Sequence, residues 1–278
     1  MFLIARGIGL ESVSDIECDS AMTSKTAKSS VKENSLEVSL ENQIFPWREL
    51  KDQPVIGVDE VGRGCLAGPV YAGAVIIPEH AVEILERAGV TDSKKISEKK
   101  RDAVADVIVE HCFVGLGFAT SDEIDEINIL QATFLAMRRA LVSLAVNVEN
   151  HDRPEVTSFG LPNGHILIDG NQKLPFAGPA FEACSVKSEI QKFLAWSKLP
   201  QTTLVKGDSR ALPIAAASIV AKVTRDRLMI DLDQEFPQYG FKGHKGYAAE
   251  IHRTAIKEYG PSPVHRKTFG GVREYLQR

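Results

Sequence analysis

Two periods of hydrophobicity organise most of this chain. Short, apolar, largely β-branched runs at residues 55–58, 70–77, 113–119, 165–168 and 203–205 predict strands. Helical spacing takes over between and after them. Ile127, Leu130, Phe134, Met137, Leu141 and Leu144 form one stripe of a helix predicted over residues 127–146. Residues 97–112 read as a helix with Ser97 as its N-cap, 211–236 as a long helix and 248–259 as a shorter one. Strands that come first, with helices interleaved later, indicate an α/β fold on a mixed sheet.

The opening stretch breaks this pattern. Residues 20–39 are rich in Ser, Thr, Lys and Glu without apolar periodicity, so residues 1–45 are expected to form a disordered tail ahead of a folded domain, 46–278. Arg6 and two glycines interrupt the first ten residues, which lack the apolar run of a secretory signal. The longest apolar runs are too short to cross a bilayer as a helix, and no membrane partner is expected. Cys18, Cys65, Cys112 and Cys184 are widely spaced with no CxxC pair, which argues against a disulfide framework or a structural zinc site. The expectation is a cytoplasmic monomer in a reducing compartment.

With 44% hydrophobic and 25% charged residues among 278, the composition excludes a fibrous or wholly disordered chain. The net charge of −4 hides an asymmetry. Residues 187–278 carry 16 Lys/Arg against 9 Asp/Glu, whereas residues 51–186 carry 12 against 20. A basic C-terminal third and an acidic centre suit a protein that holds a phosphate chain with one part and a cation with another. Solvated helix faces produce similar counts, so charge alone leaves both readings open.

Three predicted strands end in an acidic residue beside glycine: Asp59-Glu60 before Gly62, Asp169 before Gly170, and Asp208 after Gly207. Side chains at strand ends project into the crevice where α/β sheets keep their sites. Adjacent strand residues face opposite ways, so for Asp59 and Glu60 to share a site the strand must break there, which Gly62 and Gly64 would allow. Carboxylates gathered together repel one another and need a neutralising cation. Hard divalent ions with oxygen ligands fit, and a pair of Mg²⁺ about 3.5–4 Å apart is the usual arrangement for attack on a phosphodiester. A single strand-end Asp is more often a turn-former, and three such sites weaken that alternative. The glycines around Arg63 follow GxGxxxG and lead into a strand, so neither a dinucleotide fingerprint nor a Walker loop is present.

These residues, with Gly57 to Gly64, Ala67-Gly68-Pro69-Val70, Asp92-Ser93-Lys94-Lys95, Asn128-Ile129-Leu130-Gln131-Ala132, Ile214 to Ile219 through Lys222-Val223, His244-Lys245-Gly246-Tyr247 and His265-Arg266, closely resemble the type 2 ribonucleases H of the ribonuclease HII group, in the same order. The resemblance covers roughly residues 54–270 and implies a ribonuclease H-like fold, a mixed five-stranded sheet with a helical C-terminal part. It also implies endonucleolytic cleavage of RNA paired to DNA, including single ribonucleotides embedded in duplex DNA, with Mn²⁺ or Mg²⁺ as cofactor. Carried over by position, Asp59, Glu60, Asp169 and Asp208 become the catalytic metal ligands, Gly62-Arg63-Gly64 the reader of the ribose 2′-hydroxyl, and Tyr247 the ring at the RNA–DNA junction. Lys94, Lys95, Asn128, Ser218 and Lys222 become substrate contacts, whereas Ala215-Ala216-Ala217 reads as close helix packing. Cys65 replaces the usual proline, and Ala248-Ala249 replaces Gly-Thr. A hybrid-binding protein without catalysis would lack a carboxylate, and a DNA nuclease would have no use for a 2′-hydroxyl reader.

Overall fold

The computed structural model describes residues 44–93, 96–149, 164–175 and 199–276. Its frame is a five-stranded sheet of order β3-β2-β1-β4-β5. The strands are β1 (Val55–Val61), β2 (Val70–Ile76), β3 (Phe113–Ala119), β4 (His165–Asp169) and β5 (Gln201–Leu204). β1, β2 and β3 form an antiparallel meander, and β4 and β5 add in parallel on the other side of β1. The sheet is therefore mixed, as expected. Most of the expected tail, the stretches 150–163 and 176–198, and Lys94 and Lys95 lie outside the described residues.

The helices among the described residues are α1 (Glu79–Ala88), α2 (Glu98–His111), α3 (Ser121–Glu149), α4 (Leu212–Glu235), α5 (Phe241–His244) and α6 (Glu250–Tyr259). Ser97 caps α2 as predicted, its hydroxyl accepting the Lys100 amide. α1 was absent from the hydrophobic pattern because only Ala81, Val82 and Leu85 are buried on it; its usable signals were Pro78 before it and left-handed Gly89 after it. α3 begins six residues before its predicted start because Thr120 and Glu123 form a capping box, with bonds of 2.8 and 3.2 Å. The helix breaks at Asn128 (φ 67°), whose Oδ1 accepts the Leu130 and Gln131 amides and restarts it. Contrary to the expectation from continuous apolar runs, α3 is long and apolar enough to cross a membrane, but 67% of its most apolar stretch is buried inside the fold.

Strand alternation assigns one helix to each face of the sheet. Gly115 and Gly117 face α3, where an added Cβ would lie 2.1 Å from the Ala140 oxygen and 2.3 Å from the Ala136 oxygen. Gly57 and Gly73 face α4, where it would lie 2.1 Å from the Pro213 carbonyl carbon and 2.4 Å from the Ala217 oxygen. Both helices thus rest on bare strand backbone, and the three alanines at 215–217 are indeed packing residues. A smaller core of Leu66, Met229, Tyr239, Phe241, Ile256 and Val272 ties the last helices to the loop that follows β1.

Candidate active site

Pairing between β1 and β4 covers only residues 55–58 against 165–168. Beyond Val58 the two carboxyl ends part, and a cleft of about 550 Å³ opens there. β1 itself does not break at the Asp59–Glu60 pair, contrary to expectation: it stays paired with β2 as far as Val61. Both carboxylates reach the cleft because β1 has lost its β4 neighbour by that point. Asp59 lies on the α4 face, like Gly57, and its Oδ1 accepts the Glu60 amide at 2.7 Å. Asp169, at the end of β4, also lines the cleft, and its Oδ1 accepts the Gly207 amide at 2.6 Å. Asp208, the next residue, is buried in the turn Gly207–Ser209, and its side chain does not line this cleft.

Two of the lining carboxylates, Asp59 and Glu60, are electrostatically strained. Burial pushes the Asp59 carboxyl well above the ordinary range, and the charges of Asp169 and Glu60 push it further. A hydrogen bond from Ser218 partly counteracts this. Burial also raises Glu60; Arg63, 3.4 Å away, opposes that rise and Asp169 adds to it. A buried carboxylate cluster is a donor set that a hard cation would relieve. The carboxylates are gathered but not closed, since among the described residues no three His, Cys, Asp or Glu side chains already surround a common point.

A second part of the lining is made of turns. Gly62, Arg63 and Gly64 form it together with Tyr247. Gly62 has φ 91°, and a Cβ there would collide with the Arg225 side chain at 2.2 Å, so glycine is required twice over. Tyr247 follows two left-handed residues, Lys245 (φ 52°) and Gly246 (φ 83°), and is 41% exposed, so it is not a core ring. The Lys222 ammonium lies 5.9 Å and the Arg225 guanidinium 6.0 Å from its ring centre.

Two fully buried arginines hold these turns, and sequence reasoning gave neither a role. Arg266 donates to the carbonyls of Gly62 (2.7 Å), Arg63 (2.8 Å) and Gly68 (3.0 Å). Arg225 donates to those of Pro69, Lys245 and Ala67 at 2.9, 2.8 and 3.2 Å. Burial lowers Arg266 to about 10, which still leaves it charged at neutral pH.

A family model described as Ribonuclease HII matches residues 56–272. The chain belongs to the ribonuclease HII family. The ribonuclease HII of Syntrophotalea carbinolica is 45% identical over 223 residues, 80% of this chain and 88% of that one. That of Geobacter metallireducens is 46% identical over 224 residues, 80% of this chain and 86% of its own. Among solved structures, the ribonuclease H2 of Pyrococcus horikoshii has a TM-score of 0.56 at 26% identity, covering 81% of this chain and 97% of that one. Bst-RNase HIII in complex with Mn²⁺ has a TM-score of 0.60 at 19% identity, covering 82% and 71%, a likeness of fold. Family membership makes the chain a ribonuclease H, a hydrolase of phosphodiester bonds in RNA.

Several other ribonuclease HII positions assigned from sequence have definite local contacts. Ser218 is buried with its hydroxyl 3.1 Å from that of Ser93, so in this structure it supports the Asp59 wall. Lys222 lines the cleft but is paired with Asp226 at 2.7 Å. Asn128 caps the second half of α3 and does not line the cleft.

Proposed function

We propose that the chain cleaves the RNA strand of RNA–DNA hybrids, and single ribonucleotides embedded in duplex DNA, leaving 3′-hydroxyl and 5′-phosphate ends. The observation that supports this best is that one cleft is lined both by buried carboxylates and by the 62–64 turn with Tyr247. Only the 2′-hydroxyl distinguishes RNA from DNA at a given bond, so the discriminating groups must lie beside the reacting phosphate. Gly64 suits close approach, since nothing stands within 4 Å of where its Cβ would be.

Asp59, Glu60 and Asp169 would hold Mg²⁺ or Mn²⁺, with Asp208, in the turn whose Gly207 amide binds Asp169, as the fourth candidate. Such ions would supply charge neutralisation and water activation for in-line attack. The chain's own residues do the rest. Arg63, half exposed and loosely paired with Glu60, can turn its guanidinium to a phosphate. Tyr247, 41% exposed, would pack its ring on a deoxyribose, and its hydroxyl, which bonds the Cys65 side chain in this structure, would reach the neighbouring sugar. Lys222, Lys94 and Lys95 would add backbone contacts that position the duplex without reading its sequence.

The test is cleavage of a DNA duplex containing one ribonucleotide, with Mg²⁺ or Mn²⁺, beside an all-DNA control and a long hybrid. Cutting of the ribonucleotide-containing strands alone is expected. Equal cutting of the all-DNA duplex, or binding of the hybrid without cleavage, would overturn the proposal.

A further inference from the structure

The segment 264–266, with His265 and Arg266 fully buried, touches both halves of the selective wall. Gly68 donates to the Val264 carbonyl at 2.9 Å and the Arg266 amide to Leu66 at 2.9 Å, with a bridge between Ala67 and His265. From there one side chain reaches each way. The His265 ring reaches Tyr247 through His252. Nδ1 of His265 accepts the Ser262 amide at 2.9 Å, so its proton sits on Nε2 and is donated to His252 Nε2 at 3.0 Å. His252 Nδ1 then donates to the Tyr247 carbonyl at 2.8 Å. The Arg266 side chain reaches the other way, to the carbonyls of Gly62 and Arg63.

The second set of bonds fixes a direction. In a planar trans peptide the carbonyl and the following N–H point opposite ways. With the Gly62 and Arg63 carbonyls drawn inward to one guanidinium, the amides of Arg63 and Gly64 are turned away from the core. Among the described residues no backbone acceptor takes either of them.

We propose that Arg266 is a positioning residue for ribose selection. By clamping two successive carbonyls it aims the Arg63 and Gly64 amides at the cleft, and through the adjacent His265 the same segment fixes Tyr247 relative to them. The inference rests on the reading that the 62–64 turn faces the ribose. Asp125 braces the segment from outside, its carboxylate accepting the Lys267 and Thr268 amides at 2.7 and 2.9 Å. Lysine at 266 keeps the charge but lacks the rigid planar fork whose three nitrogens reach three separate carbonyls.

The experiment compares wild type, Arg266→Lys and Asp125→Ala on duplexes with and without a single ribonucleotide, together with melting temperature and duplex affinity. For Arg266→Lys at a retained fold, kcat on the ribonucleotide duplex should fall about 10- to 100-fold with KM within about twofold, as expected for a misplaced reacting group. The rate ratio between ribonucleotide and all-DNA duplexes should shrink with it. Asp125→Ala, a surface change, should move that ratio in the same direction by about threefold with a near-normal melt, and it decides the matter if Arg266→Lys does not fold. A folded Arg266→Lys with wild-type kcat and ratio would overturn the proposal. So would an unchanged ratio in Asp125→Ala if only that variant folds. Failure of the wild type itself to discriminate would instead overturn the functional reading beneath it.

Discussion

The two walls of the cleft are built on opposite principles. The carboxylate wall stands at the ends of paired strands, braced by α4, and concentrates like charges that oppose one another. The selective wall has no regular structure of its own. It consists of turns with left-handed residues, held in shape by two buried arginines bonded to carbonyls. On the proposed reading, chemistry that depends on charge sits on paired strands, where a cation would relieve the repulsion. Selection would then depend on where backbone amides point, at a place where the backbone can leave strand geometry and be held there from behind.

The sharpest way to separate the walls is Asp59→Asn. Cleavage should fall by at least about a thousandfold, while duplex affinity, supplied mostly by basic side chains, stays within about twofold. Stability should move the other way. The native state binds the Asp59 proton more tightly than the unfolded chain, so this group's contribution to stability falls as pH rises from 3.8 toward the raised native value. Removing the charge should therefore raise the melting temperature of the metal-free protein at neutral pH, by about 2–4 °C for each kcal/mol relieved. A variant that melts lower would show that Asp59 is not under electrostatic strain.

On the selective wall, Tyr247→Ala should cost about a hundredfold at a single embedded ribonucleotide, and Tyr247→Phe far less, with normal melts for both. A large drop in melting temperature for the Ala variant would make the ring structural. The histidine pair behind it gives a pH test. Burial lowers both His252 and His265 from 6.5 to about 4, and each ring is neutral in the bonded arrangement. The unfolded chain binds more protons between those values, so this stabilisation is full above pH 6.5 and is lost as pH falls toward 4. Melting curves across that range should show the decline, with a shallower one in His252→Gln. The smallest effect is expected for Ser218→Ala. Its hydroxyl holds the Asp59 carboxyl down, so its removal should shift the acid limb of the pH–rate profile upward, with a change in rate of about two- to fivefold at pH 6 and less at pH 8.

The carboxylate wall was largely legible in the sequence, because strand-end acids beside glycine and apolar runs carry their geometry with them. Asp59, Glu60 and Asp169 do line one cleft. The unbroken strand at Asp59–Glu60 was not legible, since the loss of the β4 neighbour is a matter of pairing length rather than local sequence. Nor were the supports of the selective wall. Arg225 and Arg266 lie in a basic third where arginines read as solvated charge, and five of the six carbonyls that hold them lie 156 to 204 residues away in the chain. Asn128 shows a different limit: its motif suggested substrate contact, and nothing in the motif announced that its side chain also restarts a helix.

The contact between Gly73 and Ala217 has a mechanical consequence. Ser218 is the next residue on that helix and Lys222 lies one turn further along, so both travel wherever the helix axis travels. No compressible side-chain layer separates strand from helix at this point, and the spacing is set by hard atomic radii. A single methyl at residue 73, with only 2.4 Å available, would shift the axis by about 1 Å instead of being absorbed. The sheet therefore works as a fixed gauge for the cleft, and wear at a site that touches no substrate would read out as lost alignment at the site that does.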